Sequence, residues 1–110
     1  MVDIELLKGY LENLGQDTLQ QMISLYVNQS EIYLQDITQA LKNDDQKLWQ
    51  EHCHKMKGAA GSAGLISVHA KLVLMEKSTQ EQAIKTGLLE ELQQENNAAV
   101  AAFSEWLTSQ

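Results

Sequence analysis

The chain has no proline, no arginine, one cysteine and one phenylalanine in 110 residues. Each scarcity excludes something. Without proline, no helix carries an obligatory kink and no loop a fixed φ. A lone cysteine, Cys53, cannot form an internal disulfide and agrees with a reducing compartment. The missing arginine, with a formal net charge of −7, argues against nucleic acid, whose binders carry basic surfaces and favour Arg for phosphate and guanine. It argues equally against contact with an anionic membrane surface. Apolar runs are only a few residues long, too short for a membrane span. The opening MVDIELL lacks the basic region and apolar block of a secretion signal, so a cytoplasmic location is expected. No repeat, low-complexity tract or linker appears, and the length suits one domain over residues 1–110.

What is present is helical spacing of apolar residues nearly everywhere and no strand-like alternation. Ile4, Leu7, Leu11 and Leu14 mark a short first helix stopped by Gly15. Asp17 is a plausible N-cap for a second helix, which carries Leu19, Ile23, Tyr26, Tyr33, Ile37 and Leu41 on one side and ends near Asn43. Asp44 or Asp45 can cap a third helix running to about Gly64. A fourth follows with Leu65, Val68, Leu72 and Met75. Its end is either at Ser78–Glu81, a capping-box pattern, or at Gly87. The last helix shows Leu88, Leu92, Val100, Phe103, Trp106 and Leu107, with a polar middle at 94–97 that is expected outside the core. Short connections favour antiparallel neighbours. The fold expected is all-α: an up-down antiparallel four-helix bundle with a short additional N-terminal helix.

The acidic charge is unevenly spread. Between Glu51 and Glu76 there is no carboxylate, while Lys55, Lys57, Lys71 and all three histidines, His52, His54 and His69, fall in that window. A basic island on an acidic protein suits an anionic or acidic partner, although charge alone does not separate this from chance clustering. The same window holds HCHKMKGAAGSAG, residues 52–64, with Gly58 and Gly61 inside a helical pattern. Glycine there costs roughly 1 kcal/mol against alanine.

At about 100° per residue with His54 at zero, Trp49, Cys53, Met56, Ala60 and Ala63 centre near 220°. His54 therefore stands opposite the core, flanked by Lys57 near 300°, Gly58 near 40° and Gly61 near 340°, on that same count of about 100° per residue. The glycines clear side chains from around an exposed imidazole. Fraying at the helix end is the alternative, and it suits Gly61 better than Gly58. His52 and His54 diverge by about 200° and cannot chelate one ion. His52 falls at the core margin, and His69, on another helix, defaults to the surface. No P-loop, GxSxG or dinucleotide fingerprint is present. What remains is an imidazole that can take a phosphoryl group, with an ammonium at i+3 to offset its charge.

His54-Lys55-Met56-Lys57-Gly58-Ala59-Ala60, with Gly64 ten residues after His54, resembles the His-x-x-Lys-Gly-small-small signature of histidine phosphotransfer (HPt) domains. Met75-Glu76 matches an apolar-Glu pair of the family, and Met56 replaces its usual leucine. The resemblance implies a phosphorelay intermediate, not an ATP-using enzyme. His54 would be phosphorylated, Lys57 would stabilise the charge, and Gly58, with Gly61, would give steric clearance for docking. The partners implied are response-regulator receiver domains, or a hybrid sensor histidine kinase whose cytoplasmic C-terminal part the chain would form. It would act as a monomer with no cofactor or metal of its own, Mg²⁺ being supplied by the receiver. The competing reading is a non-catalytic helical adaptor or dimerisation module with His54 incidental.

Overall fold

The computed structural model describes residues 1–110 and contains five helices: α1 (Ile4–Leu14), α2 (Gln16–Lys42), α3 (Gln46–Ser62), α4 (Ile66–Lys77) and α5 (Gln82–Thr108). The Asp3 carboxylate accepts from the Leu6 amide at 3.1 Å and so starts α1. Gly15, at φ +86°, both ends α1 and precedes α2. Asp17, expected as the N-cap, lies inside the first turn of α2 instead. The turn at Gly15 starts the helix two residues earlier, which puts the Asp17 carboxylate near the positive end of the helix dipole. At α3 the cap is Asp45, whose carboxylate accepts from the Leu48 amide at 3.0 Å.

α3 stops at Ser62, and Gly64 takes φ +71° in the turn to α4. A Cβ at Gly64 would also meet the Leu7 side chain at 3.4 Å. The Asp3 amide donates to the Gly64 carbonyl at 2.8 Å, and Val2 bridges Leu65, so the N-terminus straps this turn. The break before α5 lies at Ser78–Glu81, but not as a capping box. Ser78 Oγ accepts from Gln80 at 3.3 Å, and Glu81 makes no side-chain cap. Gly87 lies within α5.

α2, α3, α4 and α5 form the bundle in cyclic order, each packed on its sequence neighbour, with α5 closing onto α2. Connections of three or four residues make neighbours antiparallel. The 27-residue helices α2 and α5 span about 40 Å at ~1.5 Å per residue. The shorter α3 and α4 cover one end of that pair, and α1 folds back beside the start of α2. Leu19, Ile23, Ile37, Trp49, Met56, Leu72, Met75, Leu92 and Phe103 form the core. Burying each contributes roughly 1.5–3 kcal/mol. No helix is long and apolar enough to cross a membrane.

The polar middle of the last helix lies outside the core as expected except at one residue. Asn96 is buried. Its Oδ1 accepts from the Tyr26 hydroxyl at 2.7 Å, and its Nδ2 donates to Ser30 Oγ at 3.3 Å. Ser30 in turn donates to the Val27 carbonyl at 3.0 Å. The triad keeps its polar atoms satisfied, which makes burial tolerable. Burial also pushes the Tyr26 hydroxyl pKa well above its ordinary value.

Candidate functional site

α3 presents one ridge to solvent because its other face is filled by Trp49, Cys53, Met56 and Ala60. His54 tops that ridge, its side chain 67% exposed. Cys53, about 100° round the helix, turns into the core and is fully buried. Burial first, then the nearby Glu76 charge, pushes its thiol up to about 12, with Lys85 opposing. The thiol is therefore protonated and inert at neutral pH.

α4 runs back antiparallel along α3 and brings Glu76 to the ridge. Glu76 Oε1 lies 2.7 Å from His54 Nδ1, and Glu76 Oε2 accepts from Lys57 Nζ at 2.6 Å. The Lys57 hydrogen bond is the largest cause holding the Glu76 carboxyl below its ordinary value; burial opposes, and His54 adds to the lowering. Glu76 is thus a carboxylate at neutral pH and can only accept hydrogen bonds. In the neutral ring the proton must then sit on Nδ1, leaving Nε2 with a free lone pair. One carboxylate fixes the ring, its tautomer and the lysine together.

The residues singled out in the sequence meet different fates. His54 and Lys57 converge, but through Glu76, which the sequence marked only as half of a motif pair. The carboxylate-free window is continuous along the chain and not in space. Its boundary residue folds into the site, and Lys71 is bound to Glu91 on α5. Gly58 is exposed, and a Cβ there would meet nothing within 4 Å. Gly61 has an internal neighbour: a Cβ would come 3.2 Å from His69 Cδ2 on α4. His69 is accordingly half-buried against α3 and not on the open surface. His52 sits at the core margin as expected, with Nδ1 3.9 Å from Asp36 Oδ2 on α2.

Glu76 could have been found by asking which carboxylate, one helix on, faces the His54 stripe. The spacing of 22 residues across a hairpin carries no periodic signal by itself.

Comparison with known proteins follows this geometry. A search of curated protein sequences gives no match. The structure is similar to the histidine-containing phosphotransfer domain of ArcB from Escherichia coli, with a TM-score of 0.87 and 24% identity over 99% of this chain and 94% of that one. That likeness establishes the helical bundle fold. The family model of the Hpt domain matches residues 21–102, from the first turns of α2 to near the end of α5. The chain therefore belongs to the Hpt domain family, the phosphotransfer domains of two-component phosphorelays, whose partners are receiver domains.

Proposed function

We propose that His54 is the phosphoryl carrier of this domain, accepting from a receiver aspartyl phosphate and passing the group to another receiver. The observation that carries this reading is an exposed imidazole whose Nδ1 is engaged by a carboxylate, so that Nε2 alone is free. The Nε2 lone pair attacks phosphorus. An N–P bond forms as the O–P bond to the receiver aspartate breaks, and the aspartate departs as a carboxylate that needs no proton. Nδ1 keeps its proton throughout, and Glu76 faces the positive charge the ring acquires. In the return step the N–P bond breaks and the ring leaves as neutral imidazole. Neither direction requires proton movement in this chain, so the carrier is reversible. A charge-assisted hydrogen bond of this kind is worth roughly 1.5–3 kcal/mol.

Lys57 supplies positive charge one turn from His54 and is shared between Glu76 and the arriving group. Gly58 leaves the approach open. The divalent cation and the remaining carboxylates of the step belong to the receiver. The test is incubation with a receiver phosphorylated by labelled phosphate. Acid-labile, base-stable label on the wild-type chain, absent from His54→Gln, supports the reading; label retained by His54→Gln overturns it.

A further inference from the structure

The lysines of the bundle are not equivalent. Lys57 is held by Glu76, and Lys71 by Glu91. Lys85 is buried, bound to Gln46 Oε1 and stacked 4.9 Å over the Trp49 ring. Lys55 is exposed and belongs to none of the ion pairs of the chain. It lines, with Gln50, Glu51, His54 and Glu76, a recess of about 380 Å³ that has no apolar residue in its wall.

The lean of helical side chains would carry a group on Nε2 toward this recess. Helical side chains lean toward the N-terminus, so the His54 ring overhangs the turn of Gln50 and Glu51, and Lys55 leans the same way. Glu76 holds Nδ1 from the α4 side. The other ring nitrogen faces away from Glu76, toward the flank where Lys55 stands about 100° round the helix. The charges in the recess are two carboxylates, Glu51 and Glu76, and one ammonium, Lys55. Glu76 is offset by Lys57. Without Lys55, Glu51 would face the incoming phosphoryl group unopposed.

We propose that Lys55 is a second phosphoryl-contacting cation of the transfer reaction, meeting the group as it arrives at His54 Nε2. The role rests on the reading of His54 as the acceptor. Lys57 meets the phosphoryl oxygens while its charge is shared with Glu76, whereas Lys55 has no ion pair to share. The bond changes are unaltered: the N–P bond forms, the O–P bond to the receiver aspartate breaks, and the ammonium stays protonated. Because Lys55 is exposed, its effect is screened by salt, the Debye length falling from about 10 Å at 0.1 M to about 3 Å at 1 M.

The experiment is single-turnover transfer from a phosphorylated receiver to the full chain at low and high salt. Lys55→Gln is expected to slow label transfer to His54 about fivefold at low salt and less than about twofold near 1 M. Lys55→Arg should stay within about twofold of wild type, since the charge is kept. Glu51→Gln should move the rate the other way. Lys8→Gln, on the remote α1, controls for total charge. Wild-type transfer by Lys55→Gln at low salt, or a loss equally large at high salt, overturns the role of Lys55. These outcomes are read against wild type and His54→Gln. A wild-type chain that takes no label at His54 brings down the acceptor reading, whereas label at His54 with Lys55→Gln unimpaired brings down only the role of Lys55.

Discussion

Two polar triads cross between helices in this molecule. Tyr26–Asn96–Ser30 joins α2 to α5 inside the bundle; His54–Glu76–Lys57 joins α3 to α4 at its surface. In the buried triad each side chain is bonded to another or to backbone, so the network is closed and has nothing to offer a partner. The surface triad has the same number of members but leaves Nε2 unbonded and reachable. Being buried, the first contributes registry and stability; being open at one atom, the second holds the candidate acceptor. A polar cluster becomes a site through the atom it leaves unsatisfied toward solvent.

Substitutions should separate the two. The largest effect is expected from His54→Gln, which removes transfer below detection. Its unfolding free energy should change by less than about 0.5 kcal/mol in urea titration, because the side chain is exposed. Next comes Gly58→Leu, which should slow transfer about a hundredfold by displacing the docked receiver, while helical circular dichroism is kept. A receiver-binding assay then locates the loss in docking.

Glu76→Gln should lower the transfer rate about tenfold, since an amide no longer compels the Nδ1–H tautomer or opposes the ring charge. Quench-flow with a saturating receiver would read this directly. Tyr26→Phe reverses the pattern: it leaves Asn96 Oδ1 without its donor and should cost ~1–3 kcal/mol of stability. Thermal unfolding would show it, with transfer at wild-type rate; slowed transfer would mean the two triads are coupled.

The smallest effect concerns acid. The folded carboxyl of Glu76 lies below its unfolded value near 4.5. Its stabilising contribution is therefore present above that value and lost as pH falls through the lower folded one. Between pH 5 and 8 its ionisation should leave stability unchanged. Below about 4, wild type should lose more stability than Glu76→Gln in parallel urea titrations.

The helices were legible because apolar spacing reports one property, which face is buried, and each helix states it many times over. The outward stance of His54 followed from four core residues of α3, and Ala63 just beyond it, agreeing on one direction. Asn96 was misplaced for the converse reason. A single inward polar residue among Gln94, Glu95 and Asn97 looks like its neighbours until its partner, Tyr26, is known. Glu76 was visible as a letter but not as a ligand of both His54 and Lys57, because that depends on how α4 is rotated against α3. Asp17 failed as a cap because a backbone turn at Gly15 satisfied the geometry first.

The cyclic helix order has a kinetic consequence. The site contacts span only 19 and 22 residues and lie within one helical hairpin. The Tyr26–Asn96 closure spans 70. Loop entropy grows roughly as (3/2)RT ln n, so the site pairs while the chain has closed only a short loop, and α5 docks against a longer one. With no proline, refolding has no isomerisation phase to wait for. The candidate site is therefore made within one hairpin, and stopped-flow refolding should show α3–α4 pairing no later than the docking of α5 on α2.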